Sequence, residues 1–230
     1  MKGIKFYFAA IALIVSFLSV AQENVEIKKQ RFLLDDENGI QITGFGAPIF
    51  EFSEIDNDLS VCMGGGGAVM FNQQFYIGGY GMGLVPVNGK YNFSMRNFIN
   101  GQLIQYSNLS PIFAHGGLWL GYIHDSDKIV HYGLSTKIGW GTLGFVDLQY
   151  NIHDSEIGID PIFVITPQAE IEINMLKWFK VNFGLGYHYV GGVDATYVNN
   201  DNKNIRYYDK NAFNSLTGSV TLLFGGFERK

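Results

Sequence analysis

Between Gly39 and Phe227 the chain changes polarity at almost every residue, and it does so in eight separate runs. Alternation with a period of two gives a strand one apolar and one polar face. The runs are Gly39–Phe52, Leu59–Asn72, Phe75–Val87, Pro111–Ile123, Ile129–Thr142, Ile162–Met175, Phe179–Val190 and Ser215–Phe227. In the seventh, Phe179, Val181, Phe183, Leu185, Tyr187 and Tyr189 share one face, and Lys180, Asn182, Gly184, Gly186 and His188 share the other. The eighth sets Leu216, Val220, Leu222 and Phe224 against Ser215, Thr217, Ser219 and Thr221. The sixth sets Phe163, Ile165, Ala169, Ile171, Ile173 and Met175 against Thr166, Gln168, Glu170, Glu172 and Asn174. Two rows this long and this cleanly sorted suit a sheet with lipid on one side and a closed interior on the other.

The connectors mostly alternate in length. Gln73-Gln74, His124–Lys128 and Leu176–Trp178 are short, while Asn88–Ser110, Leu143–Pro161 and Gly191–Asn214 are long and polar; Ser53–Asp58 is the one short connector on the long side. Short turns at one end and long loops at the other are the outer-membrane pattern. The expected fold is therefore all-β, an eight-stranded antiparallel up-and-down transmembrane β-barrel spanning residues 39–230, with both ends of the barrel on the periplasmic side. Tyr76, Tyr122, Trp178 and Phe179 lie beside the short turns, and Trp140, Tyr187 and Tyr189 toward the long loops, as aromatic girdles at two membrane interfaces require.

Ahead of the barrel, Lys2 and Lys5 precede an apolar run from Phe6 to Leu18 and the small-residue stretch Ser19-Val20-Ala21. That order predicts a signal peptide over residues 1–21, removed on secretion, and leaves 22–38 as a periplasmic segment. The expected location is the cell outer membrane of a Gram-negative bacterium. Cys62 is the only cysteine, so no intrachain disulfide is available, and it reads as a small buried side chain. Charged residues are only 16% of the chain and the formal net charge is −5, which argues against a nucleic-acid partner. The expected partners are outer-membrane lipids, the barrel-assembly machinery and an extracellular glycan or peptide; no cofactor is expected.

The run Gly64–Gly67 lacks the Lys-Ser/Thr and the helix of a phosphate loop. With a Gln73-Gln74 turn setting the register, Gly64 and Gly66 face Gly83 and Gly81 inside the barrel. Gly65 and Gly67 then lie opposite Met82 and Tyr80 outside, and the bare backbone leaves room for Trp119 or Phe113. Pro48 and Pro167 interrupt strands and are expected at bulges or beyond the bilayer.

Across the barrel the chain resembles small eight-stranded outer-membrane β-barrel proteins of Bacteroidetes-type bacteria. The resemblance lies in Gly44-Phe45-Gly46-Ala47-Pro48, in Met63 to Ala68, in Gly78-Gly79-Tyr80-Gly81-Met82-Gly83 and in Gly186 to Val193. It implies the architecture and carries no activity. One departure is that Glu228-Arg229-Lys230 follow the terminal aromatic Phe227.

Candidate chemistry falls into three sets. Lys137, Glu170, Glu172 and Lys180, with His115, His131 and His188, belong to inward rows. Charges inside a small barrel demand partners, so a lumen polar network is expected; a proton or ion path is the other reading. The last loop brings Tyr197, Arg206, Tyr207, Tyr208 and Phe213 together with several asparagines, a composition suited to sugars or peptides. His153 and Ser155, with Glu156, resemble the His and Ser two apart of lipid A deacylases, which are also eight-stranded barrels. Here they sit in a loop that fixes no approach geometry, so no catalytic residue is assigned. Asp56, Asn57, Asp58 and Asp201 lack EF-hand spacing, and no metal is expected. The leading reading is a structural or recognition barrel acting through its outer loops; the alternatives are a lipid-active enzyme of the deacylase kind and a narrow permeation path.

Overall fold

In a computed structural model, the structure describes residues 40–55, 58–85, 91–96, 103–147, 156–199 and 201–227. Residues 1–39, which include the expected signal peptide and periplasmic segment, lie outside them, as do His153 and Ser155. Among the described residues eleven strands form in chain order: β1 Ile42–Ile55, β2 Asp58–Phe71, β3 Phe75–Leu84, β4 Tyr91–Arg96, β5 Leu103–His124, β6 Val130–Asp147, β7 Glu156–Leu176, β8 Phe179–Gly191, β9 Thr196–Val198, β10 Asn204–Arg206 and β11 Ser215–Gly225.

Eight of these make the barrel, in the order β3-β2-β1-β11-β8-β7-β6-β5, and β3 pairs with β5 to close the ring. Every pairing is antiparallel. Closure leaves no free sheet edge in the wall. The eight barrel strands are the eight alternating runs of the sequence.

Inward and outward rows follow the pleat. On β7, Thr166, Gln168, Glu170 and Glu172 are buried while Ala169 and Ile171 are exposed. On β8, Lys180, Asn182 and His188 are buried while Phe183, Leu185, Tyr187 and Tyr189 are exposed. The outward side of β6, β7, β8 and β11 is covered by large apolar side chains. The outward side of β1, β2, β3 and β5 carries a bare patch at mid-height, where Gly46 pairs with Gly67 and Gly67 with Gly79, and Gly65 pairs with Gly81 and Gly81 with Gly116; Ile42, Phe52, Met63, Val69, Ile77 and Leu118 are exposed around it.

The β2–β3 register differs from expectation by one residue. Gly64 lies opposite Met82 and Gly66 opposite Tyr80, with Phe71 opposite Phe75. The cause is the turn, which takes three residues. Asn72 and Gln73 both hold positive φ (51° and 54°), and Gln74 N donates to Phe71 O at 3.0 Å, a primed turn matched to strand twist. As a consequence Tyr80 and Met82 point inward and are buried. Tyr76, on the same row, is buried too and is not part of a girdle. The Trp119 ring fills the space that Gly66 leaves: a Cβ there would meet it at 3.1 Å and the Gly79 carbonyl oxygen at 2.7 Å.

Neither Pro48 nor Pro167 makes a bulge. Pro48 pairs with Gly65 on β2, and the β1–β11 register runs unchanged from Gly46–Phe224 to Ile49–Thr221. Pro167 pairs with Thr136, and the β7–β8 register is the same at Ile165–Tyr189 and Gln168–Gly186. Each proline costs one rung of a ladder, because it lacks an N–H, without displacing its strand. Register shifts occur instead at Leu143/Phe145, Asn174/Leu176 and Tyr91/Phe93.

β5, β6 and β7 are 22, 18 and 21 residues long, well beyond the roughly 9–11 that span a bilayer. The surplus rises past the loop end of the barrel, where β4 pairs with the start of β5. Segments expected as loop are therefore strand, and the last long connector carries the β9–β10 hairpin.

Candidate functional site: a filled lumen and its outer cap

The barrel interior is layered from the turn end to the loop end. At the turn end Phe45, Tyr76 and Trp119 meet edge to face with ring centres 5.4–5.5 Å apart. Phe227 lies 6.4 Å from Phe45 and carries the Lys180 ammonium 4.5 Å above its ring, a cation–π contact.

Above this floor the inward rows of β6, β7 and β8 converge. Glu172 Oε1 accepts from Lys180 Nζ at 2.7 Å and lies 2.8 Å from His131 Nε2. The other His131 nitrogen is 3.0 Å from the Lys128 carbonyl oxygen, so both ring nitrogens face acceptors. Glu170 accepts from Ser135 Oγ and from Asn182 Nδ2 at 2.9 Å. At mid-height Lys137 Nζ donates to Glu51 Oε2 at 2.8 Å and to Gln168 Oε1 at 3.1 Å. His188 Nε2 lies 2.7 Å from the other Glu51 oxygen, in a contact misaligned for a hydrogen bond. The Tyr80 hydroxyl and His115 Nδ1 are 3.0 Å apart.

Three of the four charged candidates thus fall in two ion-paired groups, Lys137 with Glu51 and Lys180 with Glu172, while Glu170 is held by the neutral donors Ser135 and Asn182; Lys137 and Lys180 are each only 1% exposed. Burial of the paired charges is tolerable because each is met by an opposite charge at hydrogen-bonding distance. Glu51, 0% exposed, is the residue sequence reading overlooked. Its signal was there: Ile49, Glu51 and Ser53 alternate with the outward Phe50 and Phe52.

The loop end is closed by rings. Phe113 and Phe213 lie 5.2 Å apart, Tyr208 meets Phe213 at 4.9 Å and stacks on Phe145 at 4.8 Å. Over them, Phe93, Tyr197 and Tyr207 form a second layer with centres 4.9–5.4 Å apart. The loop carrying three of these tyrosines is fastened at both ends. Asp160 Oδ2 accepts from the backbone N of Asp194 and Ala195 at 2.9 and 2.7 Å, and Asn214 Oδ1 accepts from Val190 N at 2.7 Å.

The five loop candidates consequently divide. Tyr208 and Phe213 are buried (6% and 1% exposed) and serve as the cap. Tyr197 and Tyr207 are half-buried, and Arg206 is exposed. Arg206 and Lys210 approach Asp194 at 3.9 and 3.4 Å. Of the third set, Glu156 opens β7, where it pairs with Val146. At the turn end, outside the wall, Lys128 Nζ donates to Asp125 at 2.6 Å and holds that carboxyl below its ordinary range. Among the described residues no group of three His, Cys, Asp or Glu side chains is arranged to hold a metal ion.

No family model matches the chain, and no curated protein matches it by sequence. Among solved structures, the neisserial surface protein A (NspA) is similar to it with a TM-score of 0.51 and 8% identity, over 81% of this chain and 98% of that one. Ail, the attachment invasion locus protein of Yersinia pestis, gives a TM-score of 0.44 at 8% identity, over 80% and 97%. A major outer membrane protein from Thermus thermophilus gives 0.41 at 9%, over 79% and 98%. The likeness is one of fold: this chain builds the closed, eight-stranded antiparallel barrel.

Proposed function

We propose that the protein is an integral outer-membrane barrel of a Gram-negative envelope, secreted with removal of residues 1–21, whose role is structural or recognitive and is exercised through its outer loops. The observation that carries this reading is the filled lumen. Ion-paired side chains occupy its middle and aromatic rings pack across both ends, which favours a structural interior over a solute path. What the protein offers its surroundings is then an apolar belt toward lipid and a folded cap toward the outside. The outward row of β8, from Phe183 to Tyr189, is exposed and apolar, which supports a bilayer as its solvent. The resemblance to Bacteroidetes-type barrels supports a host of that kind.

The recognition face is the exposed upper side of the cap: Arg206 and Lys210, flanked by the half-buried Tyr197 and Tyr207 and the β9–β10 hairpin. Rings held by packing, with charged and amide groups beside them, suit a glycan or peptide. The test is binding of the detergent-solubilised barrel to glycan and peptide arrays. Arg206→Ala together with Tyr197→Ala should weaken a positive signal while the barrel still migrates differently before and after boiling. Recovery of the mature chain as a soluble periplasmic monomer, or steady current through it in planar bilayers, refutes the reading.

A further inference from the structure

In the loop-end half of the lumen, four buried polar atoms have no hydrogen-bonding partner in the protein: Ser53 Oγ, His115 Nε2, Thr166 Oγ1 and Thr217 Oγ1; beside them Glu51 Oε1 and His188 Nε2 meet only each other, at 2.7 Å. The four unpartnered atoms come from four strands yet occupy one neighbourhood. Ser53 and Thr217 are cross-strand partners, as are Lys137 and Thr166. Lys137 and His188 both touch Glu51, and the His188 and His115 rings are 6.0 Å apart. Deeper in the same lumen, Ser135, Gln168 and Ser219 are all paired by protein atoms, and the unpartnered atoms there are Trp119 Nε1 and Asn182 Oδ1. Buried polar groups in folded proteins are paired in roughly nine cases of ten or more, so a cluster of four points to a ligand that supplies the missing bonds.

The chemistry narrows that ligand. Glu51 accepts only, the hydroxyls both donate and accept, and each free imidazole nitrogen does one or the other, so the ligand must do both. It must be uncharged, because Lys137 already offsets Glu51. It must be very small, because every residue in the ring is almost wholly buried. Phe113, Phe213 and Tyr208 lie across the outer side.

We propose that this ring is a binding site for a cluster of ordered water molecules, held in a chamber sealed beneath the aromatic cap. The waters join the Glu51–Lys137–His188 group to the Tyr80–His115 pair, which protein atoms leave separate, and make one network of the two. Because the cap is fastened at Asp160 and Asn214, these waters leave only when the loop 192–214 lifts, and their residence is long compared with surface hydration.

The experiment is water magnetic relaxation dispersion on the full mature barrel in micelles, paired with urea unfolding. The wild type shows long-lived buried waters, and Phe213→Ala, which thins the cap, shortens their residence. Thr166→Val and Thr217→Val, singly, reduce the number of such waters and lower the urea midpoint by roughly half a molar each; Thr166→Ser, which keeps the hydroxyl, retains them. The sign of the valine effect is decisive. A dry, unpartnered hydroxyl is a penalty, and an isosteric methyl in its place relieves it. An unchanged or raised midpoint in both valine variants overturns the proposal. So does a wild type without long-lived waters, or a water count that Thr166→Val leaves untouched.

Discussion

Removing the charge of Lys137 is the sharpest perturbation of the lumen. Lys137→Met keeps the volume of the side chain and deletes the donor that reaches both Glu51 and Gln168. Glu51 is then a carboxylate with no exposure and a single misaligned neighbour, His188. Leaving one member of a buried pair behind costs roughly 3–5 kcal/mol, and the nearby imidazole places this site toward the lower figure. With a urea slope of about 2–3 kcal/mol per molar, that is a fall in midpoint of roughly 1–2 M. Removing both members, as Glu51→Gln with Lys137→Met, leaves no uncompensated charge and should restore most of the loss, since a buried pair replaced by neutral groups of similar volume is often close to neutral. The assay is tryptophan fluorescence during urea unfolding in vesicles, followed in parallel by the gel shift of the boiled and unboiled protein. A Lys137→Met midpoint within error of wild type, or a double variant whose loss equals the sum of the singles, refutes the pairing argument.

Three further outcomes are expected. Gly66→Val should impair assembly because its side chain meets the Trp119 ring and the Gly79 carbonyl, whereas Gly81→Ala, with nothing within 4 Å of the added carbon, should fold as wild type; both are read from the heat-modifiable band after refolding. Tyr208→Ala should lower the unfolding free energy by the roughly 3–5 kcal/mol of a large buried ring, while Arg206→Ala at the surface should shift it by no more than about 0.5 kcal/mol, both read from urea titrations. Lys180→Met should destabilise the barrel less than Lys137→Met does, because Glu172 keeps the His131 contact at 2.8 Å; equal losses in a side-by-side urea titration would contradict that ranking.

The barrel was legible because lipid and lumen impose opposite demands on successive residues. β7 states this most plainly between Ile165 and Glu172: Thr166, Gln168, Glu170 and Glu172 are buried, while Ala169 and Ile171 are exposed. What alternation cannot supply is the phase between neighbouring strands. Whether Gly64 meets Gly83 or Met82 depends on one turn residue, and Asn72 and Gln73 in left-handed conformation decide it. That single step carried Tyr80 and Met82 from the expected outer surface to the interior. The overshoot of β5, β6 and β7 was illegible for a different reason. Past Pro111 and Leu143 those strands are sheltered by the cap rather than by lipid, so the outward polarity rule no longer applies. Tyr208 and Phe213 sit in a polar stretch, and nothing local distinguishes a ring that plugs a barrel from one that greets a ligand.

The outward glycines of β1, β2, β3 and β5 give the wall two thicknesses at mid-height. On the β6–β11 side, aromatic and aliphatic side chains stand between the backbone and the acyl chains. At the glycine patch, ringed by Met63, Val69, Ile77 and Leu118, hydrocarbon approaches the peptide planes themselves, as close approach at small residues allows. A bilayer around the barrel is not a uniform collar: its annular lipids are splayed by rings on one flank and reach the main chain within a patch on the other. Rotation of the protein about the membrane normal thus changes which lipids are disturbed, giving a nearly symmetric fold a distinguishable front and back within the plane of the membrane.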